Sequence, residues 1–276
     1  MVGQSRWISL FRKARAALAR AALALAFAFA LAFGAGPGIA PAWSAEPHTL
    51  RIGTGNFPPY FNERGTDGLF NDLIREVFAL MPQFQLQLVP QMSNYRLVRA
   101  LNSGAIDGVA NIFSGTQIQG CRTDPVFRFT DVAISRADSR LVVDKLDDLA
   151  GKRIVTYQGA KEFLGQDFAR AVASDSTQYR ETPQPLMQVH ALTQGTADLS
   201  IGDLYIFLHG LKTRADPSVQ AGHFTIHRLF PDSYSYMAFR EKRHCEAFNS
   251  ALAQLRKSGA YDALYDKHLK ALRPGD

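Results

Sequence analysis

From residue 48 onward, the chain alternates short apolar runs with longer stripes of helical period. The runs at 50–54, 84–89, 108–112, 132–135, 141–143, 153–156, 199–201 and 234–239 read as strands. Stripes at 69–80, 95–102, 160–172, 185–193, 245–257 and 261–270 read as helices. Strand following helix in this way predicts an α/β architecture with parallel sheets and helices on their faces. The segments 129–139 and 229–235 carry no helical stripe, so they are expected to be two extended crossings between lobes. The predicted fold is two lobes, each a mainly parallel sheet flanked by helices, joined by a two-segment hinge suited to closure around a ligand. Residues 46–134 plus 235–276 would form the first lobe and 135–234 the second.

The first 45 residues follow a different pattern. Arg6, Arg12, Lys13, Arg15 and Arg20 make a basic start without an acid, an Ala/Leu/Phe run fills 21–33, and Gly, Pro and small residues follow. This is the layout of a secretory signal peptide. The run is shorter than the roughly 20 apolar residues of a membrane span, so cleavage is expected rather than a retained anchor. Ala40-Pro41-Ala42 fits the small-x-small rule, and cleavage after Ala45 would put bulky Trp43 three positions back. A periplasmic location follows.

The leader also changes the charge argument. The whole chain has 31 basic and 25 acidic residues, but without the leader's five basic residues the balance is 26 to 25, a net of +1. The basic character therefore belongs to targeting, and no nucleic-acid partner is expected. Only Cys121 and Cys245 are present. Two cysteines in an oxidising compartment predict one disulfide. The interrupted topology would place both in the first lobe. They match no metal motif.

The most informative stretch is 50–110. A strand runs into Gly53-Thr54-Gly55-Asn56-Phe57-Pro58-Pro59-Tyr60-Phe61, and a second loop opens after the strand that follows Asp107. Loops at the carboxyl ends of parallel strands are where open α/β sheets bind ligands. The Gly53-x-Gly55 pair is not a dinucleotide fingerprint, because no third Gly follows and Pro58-Pro59 blocks a helix start.

Further along stand Asp147-Asp148-Leu149-Ala150-Gly151-Lys152-Arg153 with Tyr157-Gln158-Gly159. Then come Leu192-Thr193-Gln194-Gly195-Thr196-Ala197-Asp198 with Gly202-Asp203, and Lys257-Ser258-Gly259-Ala260-Tyr261. In order and spacing, the chain resembles the family 3 extracellular solute-binding proteins, the periplasmic receptors for polar amino acids and related small molecules. The resemblance implies a type II periplasmic binding fold, and a monomer that delivers a small polar solute to an ABC-type permease. The solute would be an amino acid or a similar zwitterion.

The same resemblance implies ligand contacts from Asn56, Phe57, Asn111, Phe113, Ser114, Arg122, Tyr157, Lys161 and Asp203. Phe57 would pack on the ligand, with Tyr60 facing the core. An Arg suits a ligand carboxylate because its planar fork matches the two oxygens. Arg122 falls about one helical turn later than the family pattern, and Arg128 is a rival. Ala160 and Lys161 replace the small hydroxyl residues that the family has at the second-lobe helix start. Asp203 would pair with a ligand ammonium, cap the helix starting at Leu204, or do both. The scattered His residues spell neither a zinc site nor a catalytic triad, and no metal, cofactor or catalytic residue is expected. The rival reading is an enzyme, since some proteins of this fold and family dehydrate cyclohexadienyl acids such as prephenate or arogenate. That chemistry needs a buried acid of raised pKa, with Glu162 as the candidate donor. A third reading is a sensory ligand-binding module without transport.

Overall fold

The computed structural model describes residues 47–62, 66–213 and 218–273. The expected leader, 1–45, lies outside the described residues. The order is β1 (His48–Gly53), α1 (Leu69–Ala79), β2 (Phe84–Val89), α2 (Asn94–Asn102), β3 (Gly108–Ile112), β4 (Cys121–Phe129), β5 (Asp131–Arg136) and β6 (Arg153–Tyr157). Then follow α3 (Ala160–Phe163), α4 (Gln166–Ala171), β7 (Gln178–Thr182), α5 (Pro185–Thr193), β8 (Leu199–Asp203) and α6 (Leu204–Lys212). The last elements are β9 (Phe224–His227), β10 (Ser233–Phe239), α7 (Lys242–Lys257) and α8 (Ala260–Leu269).

The strands form two five-stranded sheets, ordered β2-β1-β3-β10-β4 and β7-β6-β8-β5-β9. Each sheet is mixed but mainly parallel. Four strands run in one sense, and the strand that arrives through a crossing, β10 or β5, runs antiparallel between two of them. The reason is geometric: β5 and β10 enter from the hinge, at the end where the parallel strands finish, so they must run back down the sheet. The first crossing is reduced to Thr130, between β4 and β5, and the second spans 228–232. β5 pairs wholly within the second sheet and β10 wholly within the first. The sheets therefore change hands at Thr130 and just before Ser233, a few residues from the boundaries expected at 134/135 and 234/235.

Three elements depart from the expected set. β4, at 121–129, is a strand that no apolar run predicts, and as an edge strand it tolerates Pro125 because its other side needs no ladder. No strand forms at 141–143, where Val143 is instead buried against the second-lobe core. The single helix expected over 160–172 is broken at Gly165, which sits at φ 92.

The first-lobe core is strongly aromatic. Phe61, Phe70, Phe127, Phe239 and Phe248 are all fully buried, and Phe70 stacks between Tyr60 at 4.3 Å and Phe127 at 4.4 Å. The Cys121–Cys245 disulfide is formed within this lobe and ties the start of β4 to α7. The second lobe divides its core between the two faces of its sheet, one built around Val189, Leu192 and Phe207, the other around Leu149, Ile154 and Phe168.

Candidate functional site

The carboxyl ends of β1 and β3 face those of β6 and β8 across the two crossings. On the first-lobe side, the β1 loop is folded back on itself by Tyr60 and Phe61, whose N–H groups both donate to the Phe57 carbonyl. The Pro58–Pro59 bond is cis. The first turn of α1 then docks on this loop, with Phe70 N–H donating to the Tyr60 carbonyl at 2.9 Å. Gly68 makes that approach feasible, for at its φ of 112 an added Cβ would lie 2.5 Å from the Tyr60 carbonyl oxygen. Sequence and docking together fix where Phe57 and Tyr60 stand.

At the end of β3, Asn111 adopts φ 63 where the β3–β10 register shifts. Asn tolerates this left-handed conformation better than most residues. Its buried Oδ1 accepts from Ser235 at 2.8 Å. The bulge throws Phe113 and Ser114 forward into the rim.

The second-lobe side is centred on Asp203, only 7% exposed. Its Oδ1 caps α6, accepting from the N–H groups of Tyr205 (3.0 Å) and Ile206 (2.9 Å). Its Oδ2 accepts from Thr130 N–H in the crossing (2.8 Å) and from the Tyr60 hydroxyl of the first lobe (2.9 Å). A carboxylate offers about four acceptor positions, and all four are used. Capping falls to one oxygen and the cross-lobe contact to the other. Burial and the adjacent Asp131 carboxylate push Asp203 up to about 7, against the pull of its donors. Asp131, its cross-strand partner, is itself raised by burial and accepts from Ser233 at 2.8 Å. Burial, with the charges of Asp131 and Asp203, also raises the Tyr157 hydroxyl far above its ordinary value.

Aromatic rings bridge the cleft in an unbroken series. Phe57 lies 6.3 Å from Phe129, Phe129 lies 6.1 Å from Phe113, and Phe113 reaches Phe163 of the second lobe at 4.4 Å. Phe163 in turn lies parallel to Tyr157 at 6.4 Å. Tyr157 rests over Gly202, next to Asp203, and Tyr60 closes the circuit back to Phe57.

A family model for bacterial extracellular solute-binding proteins, family 3, matches residues 50–271. The chain belongs to this family. Among curated proteins, none matches the sequence. Solved structures share the fold. An ancestral arginine-binding protein bound to glutamine has a TM-score of 0.61 and 24% identity over 79% of this chain and 96% of its own. The GluR0 ligand-binding core in complex with L-glutamate has a TM-score of 0.66 and 16% identity over 81% and 99%. The ancestral amino acid-binding protein AncCDT-1, a precursor of cyclohexadienyl dehydratase, has a TM-score of 0.60 and 19% identity over 79% and 94%.

In this family 3 protein, the structure gathers only part of the expected residue set. Asn56 and Ser114 are exposed at the first-lobe rim, and Phe57, Phe113, Tyr157 and Asp203 belong to the circuit. Three others are held in contacts of their own. Asn111 is turned into the first lobe toward Ser235. Arg122 stands on β4 beside Ala238, at the level of Val109 and below the end of β3 that feeds the cleft. Its guanidinium donates to the Thr116 carbonyl at 2.7 Å and lies against the Tyr236 ring. Lys161 reaches out over the Tyr179 ring at 4.3 Å. Arg128, the rival cation, stacks on Tyr265 at 4.6 Å.

Backbone N–H groups at a helix start favour a ligand anion, and the loop ahead of α3 could offer them. Instead, Gly159 N–H donates to Glu181 of β7 at 2.8 Å, and that carboxylate also accepts from Tyr179 at 2.6 Å. Sequence reasoning missed Glu181 and Phe163. The first lies in a polar edge strand with a weak apolar signal. The second is one apolar position among several in a helical stripe, and only the break at Gly165 sets α3 apart.

Proposed function

We propose that this family 3 protein captures a small polar solute between its lobes, an amino acid or a similar amine-bearing molecule, and passes it to an ABC-type permease. The carrying observation is the Tyr60–Asp203 hydrogen bond, which joins the first-lobe loop to the second-lobe strand end across the cleft. A contact of this kind lets closure of the hinge be felt at the site. We assign the solute contacts to Asn56, Phe57, Phe113 and Ser114 on one side and Tyr157 on the other, with Asp203 joining the lobes behind them rather than touching the solute. Closing the lobes excludes water and strengthens every polar contact within. One charge-assisted contact contributes roughly 1.5–3 kcal/mol, and aromatic packing adds to it. Micromolar affinity corresponds to about −8 kcal/mol.

The test is a thermal-shift screen with amino acids, polyamines and small carboxylates. A true ligand at about 100 times its Kd adds about 2.7 kcal/mol of stability. A panel without any shift would reject the reading.

A dehydratase is the second reading. Glu162 favours it, because its Oε1 lies 3.9 Å from where a Cβ on Gly115 of the first-lobe loop would stand, so this acid spans the cleft mouth. The acid with a raised pKa is a different one, however. Asp203 is fully engaged by four donors and is not presented to a substrate. We therefore propose binding without turnover. Incubation with prephenate, followed spectroscopically, separates the two, and turnover abolished by Glu162→Gln would establish the enzyme.

A further inference from the structure

The cations offered by the sequence and the anions in the structure are distributed unequally about the cleft. Arg128 and Lys161 each lie over an aromatic ring, and Arg122 is tied to the Thr116 carbonyl while its buried Nε has no partner. The loop N–H that would receive an anion is occupied by Glu181. Meanwhile Asp203 and Asp131 lie buried side by side at the base of the cleft, and Glu162 stands at its mouth. Between base and mouth run the aromatic rings of Phe57, Phe113, Tyr157 and Phe163.

We propose that this cleft selects a small organic cation, a primary amine or a quaternary ammonium, and does not require a carboxylate on it. This rests on the reading that the solute binds between the lobes. Ring faces carry negative potential and attract ammonium groups, most strongly where water is excluded. Both lobes contribute rings, so a cation inserted at the Phe113–Phe163 contact, now 4.4 Å between centroids, would be held from two sides on closure. A cation held among the rings would in turn favour the ionised forms of Asp203 and Asp131, without a direct salt bridge to either. Phe113–Phe163 is the working contact in this arrangement, and Phe163 is the better residue to test. At 36% exposed, it is peripheral to the fold.

The experiment is calorimetry on the oxidised full-length mature protein with matched pairs. Cadaverine is set against lysine and putrescine against ornithine, with choline as a quaternary ammonium and glutarate as the anion. The expected result is that at least one amine or choline binds, with each amine binding as tightly as its amino acid or more tightly. Glutarate should not bind. Phe163→Ala should weaken the bound cation at least tenfold, while Arg122→Ala stays within about twofold, with circular dichroism confirming that both variants are folded.

An amino acid that binds tenfold tighter than its amine, lost in Arg122→Ala, overturns this inference and leaves the solute-binding reading standing. Glutarate binding does the same. Amine binding indifferent to Phe163→Ala places the amine outside the cleft and also overturns the inference. If the folded protein binds none of these and none of the wider solute panel, both readings fall together.

Discussion

In the first lobe β10 separates β3 from β4, and in the second β5 separates β8 from β9, so the two sheets have the same strand plan. What surrounds that plan differs. The first lobe has the long helices α7 and α8, the disulfide and a core of stacked rings. The second has the short, broken α3 and α4 and a core split over two faces. We expect the same sheet to serve as a rigid platform on one side and an adaptable jaw on the other, with the packing on the strands rather than their order setting the difference.

The comparison is most directly broken in the cores. Phe70 touches the rings of Phe57, Tyr60, Phe61, Phe127 and Phe129, whereas Phe168 touches Tyr179 and Phe230. Phe70→Ala should cost about 4–5 kcal/mol in urea unfolding and Phe168→Ala nearer 3, within the range for buried Phe truncation. Equal losses would remove the platform from the argument.

Next comes the staple. Cys121 and Cys245 are 124 residues apart, and chain entropy for a loop of that size suggests almost 5 kcal/mol, with about 2–5 typical of native bridges. The Cys121→Ser/Cys245→Ser protein should lose about 3 kcal/mol, with amide exchange accelerating in β4 and α7 while β6–β7 stays unchanged. Thiol counting on the unreduced, denatured wild type should find none free.

Acidity should separate His244 of the first lobe from Asp203 of the second, with His227, a buried second-lobe imidazole also lowered by burial, adding to the acid limb. His244 in the first lobe is 1% exposed, with both ring nitrogens lacking partners. Burial holds its pKa below the ordinary value. The unfolded chain therefore takes up a proton first, and stability is lost as pH falls through about 6.5. Asp203 in the second lobe is raised to about 7. Between about 4 and 7 the unfolded chain ionises ahead of the folded one, so this group lowers stability as pH rises through that window. In melting curves, His244→Phe should flatten the acid limb and Asp203→Asn the limb toward neutrality. Unchanged slopes would show that these groups do not set the pH response.

The smallest effect is expected at Tyr60→Phe, which removes only the cross-lobe hydrogen bond, about 1 kcal/mol. Stability should barely move, but solution scattering should show a larger fraction of open molecules. No change in that fraction would mean that closure does not depend on this bond.

Much of this was legible in the residues. The strands β2 and β3 and the helix α5 lie where periodicity places them, because each has strong apolar runs with clean Gly, Pro or polar borders. β4 was not legible, since Cys-Arg-Thr-Asp-Pro carries almost no apolar signal and becomes a strand only by pairing with β10. β7 was hidden likewise. At the site, the residue types on the rim could be read from the loops that follow strands. Their partners could not, because Tyr60–Asp203 spans 143 positions and Gly159–Glu181 joins a loop to an unpredicted strand. Sequence spacing shows what a residue is able to hold, while the fold decides which residue reaches it first.

The place of β10 also sets an order of assembly. The strands of the second sheet all come from the continuous stretch 131–227, so that sheet has all its strands once His227 has been made. The first sheet does not. β3 and β4 have no common partner until residues 233–239 arrive, and the disulfide waits for Cys245. A chain emerging amino end first therefore carries an open edge at β3 through the whole synthesis of the other lobe. Unpaired edges of this kind invite association with other chains. The sturdier lobe in the finished protein is thus the more vulnerable one while the chain is being made.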